Sequence, residues 1–162
     1  MKMPSYRRLT DEQLLADCRV EAFRGPGPGG QKRNKTSSAI RITHAPTGLS
    51  SQANESRSKN RNHRTAIARL RHKIALMVRE EAILTNRVQQ ELLAVSRRSE
   101  EYPAAMGEVL DILDSVGWSV SEAAAKIGVS TGQLVRFLKE DALLWTEMNR
   151  QRQKAGLRGL NT

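Results

Sequence analysis

The chain has 162 residues, a formal charge of +10 and one cysteine, Cys18. That length admits one domain or two small ones, and a single cysteine excludes an internal disulfide framework and fits a reducing cytosol. No apolar run approaches the ~18 residues of a membrane helix, and the start, Met1 to Leu9, lacks the apolar core of a signal peptide. A cytoplasmic protein with no membrane partner is expected.

Thr10 followed by Asp-Glu-Gln predicts a helix start, with Gln13 placed to complete a capping box, and a short helix through Leu14 and Leu15. A strand is predicted near Cys18–Arg24, where Val20, Ala22 and Cys18 alternate with charged residues. Cys18 could be a nucleophile, but no motif surrounds it, and a small half-buried strand residue is the better reading.

Gly25-Pro-Gly-Pro-Gly-Gly-Gln31 comes next, followed at once by Lys32-Arg33-Asn34-Lys35. A Pro/Gly-rich stretch is often only a turn or linker. Gly25, Gly27 and Gly30 match the G-x-G-x-x-G expression, but no apolar residue follows until Ala39, so there is no helix face to pack on a parallel sheet. A phosphate-binding P-loop needs Gly-Lys-Ser/Thr, and Gly30 is followed by Gln31. What remains is a backbone able to approach a partner without a Cβ in the way, backed by cations suited to a polyanion.

Ala39-Ile-Arg-Ile-Thr-His44 is β-branched and alternating, Ala45-Pro46-Thr47-Gly48 is a turn signal, and Leu49–Asn54 can return as the partner strand. Residues 38–54 are therefore predicted to be a hairpin. From Ser56 the pattern turns helical, with Ile67, Leu70, Ile74 and Met77 in one apolar stripe able to cover that hairpin. Arg57, Arg61, Arg64 and Arg71 form a neighbouring stripe of positive charge, with no acid between Glu55 and Glu80 to pair it along the helix. The helix is expected to continue or restart through Arg79–Leu93, and Ser96–Glu101 to form a joint. Four helical segments follow, around Ala104–Ser115, Val120–Ile127, Thr131–Lys139 and Leu143–Ala155. The second and third, joined by Gly128-Val129-Ser130 and a capping threonine, resemble a helix-turn-helix unit with Trp118, Phe137, Leu138 and Trp145 as its core.

The charge is unevenly placed. Residues 102–162 carry seven Lys/Arg and seven Asp/Glu, so the whole surplus precedes them. Between Arg24 and Lys73 twelve Lys/Arg face one acid, Glu55. A basic block around a Gly-rich loop is the footprint of phosphate binding. His44, His63 and His72 have neither a second cysteine nor an H-E-x-x-H pattern beside them, so no metal site is predicted, and no cofactor is expected.

From Leu9 to Ile74 the chain resembles the catalytic GGQ domain of class I peptide-chain release factors. The likeness rests on GPGGQ (27–31) leading into the basic-Asn-Lys segment 32–35, then the strand 39–44, Ala45-Pro-Thr-Gly-Leu49, and Arg57-Ser-Lys-Asn-Arg61 opening a basic helix. Arg24 and Gly25 stand where the family has small polar residues, and Lys32-Arg33 replaces its His/Asn-Val. The residues before Gly25 are expected to be too few for codon-recognition domains, so the chain is similar to the short, codon-independent rescue hydrolases of stalled ribosomes.

The resemblance implies an α+β fold. Residues 1–85 are expected as a small GGQ domain, 86–101 as a helical linker and 102–162 as an all-helical, helix-turn-helix-like module. It implies hydrolysis of the peptidyl-tRNA ester in the peptidyl-transferase centre, with Gly29, Gly30 and Gln31 catalytic. Arg24, Lys32, Arg33, Lys35, Arg57, Lys59, Arg61, Arg64 and Arg71 would contact RNA. The partners implied are the ribosome, through its rRNA, and P-site peptidyl-tRNA, met by a monomer. The competing reading is a nucleic-acid-binding regulator that uses the C-terminal helix-turn-helix with a basic N-terminal arm.

Overall fold

A computed structural model describes residues 5–23, 38–82 and 91–161. The fold is α+β: a three-stranded antiparallel sheet with several helices. The chain divides into two compact units, residues 2–74 and 75–162.

The first unit opens with a 3-10 turn, Tyr6–Arg8, and helix α1, Asp11–Ala16. Thr10 and Gln13 form the expected capping box, each side chain accepting from the other's backbone N–H at 3.2 and 2.9 Å. Strands β1 (Cys18–Phe23), β2 (Ala39–His44) and β3 (Ser50–Ala53) lie side by side in that order. The β2–β3 turn closes as predicted. The Gly48 N–H donates to His44 O at 2.9 Å with φ of 68°, a conformation glycine supplies without steric cost, and the His44 N–H donates to Leu49 O. Ile40 and Ile42 share the covered face of β2 and are fully buried. β1 is an edge strand, and its Val20, although paired with Ile42, is 44% exposed. The expected alternation is present there, but its apolar side is only partly covered.

Helix α2, Lys59–Met77, covers the sheet with Ala66, Ile67, Leu70 and Ile74, all buried. Met77, the last member of the expected stripe, is 52% exposed instead, because the core of this unit ends at Ile74. Of the continuation or restart expected through Arg79–Leu93, the described residues exclude only an unbroken continuation, because α2 ends at Met77. Residues 78–82 are irregular, a 3-10 turn occupies Leu92–Ala94, and 83–90 lie outside the described residues. The cause is local. Arg79 Nη2 donates to Ala75 O and Leu76 O, closing the final turn, while the buried Asp111 carboxylate accepts from the Glu80 N–H at 3.0 Å.

The second unit contains α3 (Tyr102–Ser115), α4 (Val120–Ile127), α5 (Thr131–Lys139) and α6 (Ala142–Lys154), close to the four segments expected. Its core joins Leu92, Tyr102, Met106, Leu110, Leu113, Trp118, Ile127, Leu134, Phe137 and Leu138. Trp145 is only partly buried, with Lys139 Nζ 5.2 Å from its ring centroid. Gly128, at φ 80°, ends α4. The cap of α5 is Ser130 rather than the expected threonine: Ser130 Oγ accepts from the Gln133 N–H, Gln133 Oε1 accepts from the Ser130 N–H, and Thr131 is already helical. Asp141 caps α6 through the Leu143 and Leu144 N–H groups and lies 3.7 Å from Arg97. Among the described residues no helix is long and apolar enough to cross a membrane.

His44 makes the first unit sensitive to acid. Its ring is fully buried, meets Tyr6 edge-on at 4.7 Å and bonds Thr47 Oγ1 through Nδ1 at 2.8 Å. Burial holds its pKa below the ordinary 6.5, with Asp17 opposing the shift weakly. A depressed histidine contributes stability that is complete above the unfolded value and is lost as pH falls below it. Urea unfolding followed at the Ile40 and Ile42 amides is therefore expected to weaken as pH drops below 6.5, by at most about 1.4 kcal/mol per pH unit. The His44→Gln protein is expected to lack that slope.

Candidate functional site

Phe23, the last described residue before the Gly-rich stretch, pairs with Ala39 just beyond it, at the end of the β1–β2 ladder. The chain therefore leaves and re-enters the sheet at one end. Gly29, Gly30 and Gln31, with Arg24, Lys32, Arg33 and Lys35, lie outside the described residues. The structure defines the base from which that stretch springs.

Two contacts brace the base. Arg41, next along β2, places its guanidinium 5.0 Å from the Phe23 ring centroid, a cation–π contact. Asn62, in the first turn of α2 and only 1% exposed, donates through Nδ2 to Ser38 O at 2.7 Å and to Ser56 O at 2.8 Å. Its Oδ1 accepts from the Ser56 N–H at 3.0 Å. One side chain thus ties the return of the Gly-rich stretch, the turn after β3 and the start of the helix into a single joint. Ser58 completes the helix entry, its Oγ accepting from the Arg61 N–H at 3.3 Å.

Sequence reading missed Asn62. A polar residue of low helix propensity inside a predicted helix, six positions after a serine at its expected start, was the available signal.

The basic residues of the described part separate into two groups. Arg69 and Lys73 are turned onto β3: Arg69 Nη1 donates to Gln52 O at 2.8 Å and Lys73 Nζ to Ser50 O at 2.9 Å. Arg69 also meets Glu55 at 2.6 Å. Arg71 is held by α1, donating to Asp11 Oδ1 through Nε and Nη2 and to Leu9 O at 2.7 Å. Arg57, Lys59, Arg61 and Arg64 differ from these: all four are exposed and have no acidic partner among the described residues. They cluster at the entry of α2, where Asn62 anchors the return of the Gly-rich stretch. Continuous cationic surface without matching acids is the arrangement that attracts phosphates.

Cys18 is half-buried at the head of β1, its Sγ donating to Leu14 O at 3.1 Å. Burial, with a smaller contribution from Asp17, pushes its pKa above the ordinary value, which disfavours the thiolate a nucleophile needs.

Replacing Asn62 with alanine is expected to leave three backbone groups unpaired and to lower the stability of the first unit by about 3 kcal/mol. Chemical denaturation checks this. Asn62→Asp, which keeps the acceptor but loses both donors, is expected to lose more than half of that amount.

An RF-1 domain family model matches residues 13–106, more than half of the chain. Peptide chain release factor 1 of Acetivibrio thermocellus is 40% identical over 115 residues, covering 67% of this chain and 31% of that protein. Peptide chain release factor 1 of Acidothermus cellulolyticus is 44% identical over 80 residues, 49% of this chain and 22% of its own length. Peptide chain release factor 2 of Lactiplantibacillus plantarum is 38% identical over 117 residues, 72% of this chain and 26% of its own. The chain thus spans less than a third of the length of each of these curated relatives. With the hairpin, the covering helix and the Gly-Gly-Gln stretch between β1 and β2 all inside the matched region, the chain belongs to the RF-1 domain family.

Proposed function

We propose that the protein hydrolyses the ester of peptidyl-tRNA in the peptidyl-transferase centre of the ribosome, releasing nascent chains from stalled ribosomes without reading a codon. The observation that carries the reading is the Gly29-Gly30-Gln31 sequence, falling between two strands paired at Phe23 and Ala39 inside the region matched to the RF-1 domain. The basic entry of α2 beside that base supports it.

In this mechanism Gly29 and Gly30 let the backbone approach RNA closely. The Gln31 N–H donates to the oxyanion or the departing ribose oxygen as charge develops; one such preorganised donor contributes roughly 3–4 kcal/mol. The Gln31 side chain shapes the pocket for the attacking water. Neither a Ser/His/Asp set nor paired carboxylates accompany these residues in the sequence, so the general base comes from RNA. Arg24, Lys32, Arg33 and Lys35 hold the stretch against rRNA, and Arg57, Lys59, Arg61 and Arg64 extend the contact along α2. Arg71 contributes through its hold on α1. The protein acts as a monomer, and its C-terminal helices select among ribosomal states.

The rival, a DNA-binding regulator, is favoured by the α4–α5 pair with its three-residue turn at Gly128. Tight, sequence-specific binding of duplex DNA by the full chain, without release activity, is its signature.

The deciding measurement is single-turnover peptide release from purified ribosomes carrying P-site peptidyl-tRNA, with and without a stop codon in the decoding site. Equal release from both is expected. Gly30→Ala is expected to lower the rate constant a hundredfold or more, on the order of one missing oxyanion donor, with ribosome affinity unchanged. Full activity of that variant would sink the assignment. Ribosome affinity is also expected to fall log-linearly with salt. The double substitution Arg57→Ala and Arg61→Ala is expected to flatten that dependence, by roughly 0.7–0.9 in slope for each phosphate no longer neutralised.

A further inference from the structure

The outward face of the sheet carries a groove of about 710 Å³, away from the entry of α2, formed wholly by residues of the first unit. Its floor is the row of side chains that alternate with the buried Ile40 and Ile42: Arg41 and Thr43 of β2, opposite Gln52 and Ser50 of β3. Arg69 and Lys73 of α2 reach around the free edge of β3 to form its rim.

The charges are graded. Glu21 is the acid among the described lining residues, and Arg19 engages it at 2.9 Å. Arg69 is similarly matched by Glu55. Arg41 and Lys73 have no acidic partner among the described residues. Lys73 uses one Nζ hydrogen on Ser50 O, which leaves two donors for a ligand. The groove therefore offers two cations outside any ion pair, Arg41 standing across the ladder from Glu21, with hydroxyls at Thr43 and Ser50 and an amide at Gln52. A solvated sheet face ordinarily mixes both signs of charge. Cations spaced along a floor of small neutral donors suit a chain of phosphates and sugar hydroxyls. An acidic peptide would instead favour bidentate arginine forks, and Arg69 already gives Nη1 to Gln52 O and Nη2 to Glu55.

We propose that this groove is a second RNA-backbone site, in which Arg41 and Lys73 each contact a phosphate while Thr43, Ser50 and Gln52 bond the intervening sugar and phosphate oxygens. Its volume suits a segment of one or a few nucleotides. Its place in ribosome engagement rests on the function proposed above. RNA contact would then reach the first unit from two sides, at the α2 entry and across the sheet.

The test uses the full-length protein and a short fluorescent oligouridine RNA, with binding read by anisotropy across a salt series. Arg41→Gln and Lys73→Gln are each expected to weaken binding about fivefold and to flatten the log–log salt slope by about 0.7, the value for one single-strand phosphate contact. Glu21→Gln is expected to tighten binding about threefold. That gain cannot come from misfolding, and it keeps the proposal testable if Arg41→Gln disturbs the Phe23 contact. Unchanged affinity and slope in Glu21→Gln and Lys73→Gln would overturn the proposal. So would displacement of the RNA by polyglutamate at equal charge.

Peptide release by the unmodified protein is measured in parallel. Groove variants that shift RNA binding while the unmodified protein releases nothing would leave the groove standing and remove the ribosomal function. Normal release with unresponsive groove variants would remove the groove alone.

Discussion

The first unit depends on one buried amide. Three separate backbone segments must meet where the Gly-rich stretch returns to the sheet: residue 38, the turn at Ser56 and the opening of α2. Each brings polar groups into a place closed to water, where an unpaired N–H or C=O costs about 1–3 kcal/mol. Asn62, itself in the first turn of α2, answers those of Ser38 and Ser56 with one side chain, two donor bonds and one acceptor bond. No apolar residue could do this, and aspartate lacks the donors. The point at which the chain rejoins the sheet, relative to the basic entry of α2, follows from that joint.

Charge in this unit has two uses, and only contact geometry separates them. Arg69 and Arg71 are structural cations that hold α2 onto β3 and α1, and Lys73 spends one Nζ hydrogen in the same way on Ser50 O. Arg57, Lys59, Arg61 and Arg64, an equally basic set around the start of the same helix, meet no acid among the described residues. A count of arginines treats them alike. The division follows position along α2: Arg69 and Lys73 lie beside the β3 carbonyls and Arg71 beside α1, whereas Arg57 precedes the helix and the other three stand on its first two turns.

Much of this was legible in the sequence. Periodicity located the hairpin and four C-terminal helices, because alternation and a 3.6-residue stripe are direct consequences of burial on one face. Capping chemistry placed α1. The failures share a cause. Met77 continues the apolar spacing of Ile67, Leu70 and Ile74, yet the core it should join has ended. An unbroken run of α2 into Arg79–Leu93, one of the two courses expected there, is prevented after Met77, where Asp111, thirty-one positions beyond Glu80, takes the Glu80 N–H. Ser130 rather than Thr131 caps α5 because a one-residue shift at a helix start leaves the hydrophobic pattern unchanged. Of the candidate site, the basic entry was readable as charge, while Asn62 and the outward groove were not. Both depend on which distant backbone groups come together.

The arrangement of Arg69 and Lys73 also bears on self-association. β3 is an edge strand, and edge strands present rows of unused carbonyls on which a second chain can add itself. Here the Leu49 carbonyl turns inward to β2, and those of Ser50 and Gln52, the ones a new strand would need, already accept from the two long cations. An incoming strand would have to break those bonds and lie against two positive charges. The same side chains that form the rim of the groove thus close the β3 edge to growth, leaving β1 as the edge at which another strand would have to add.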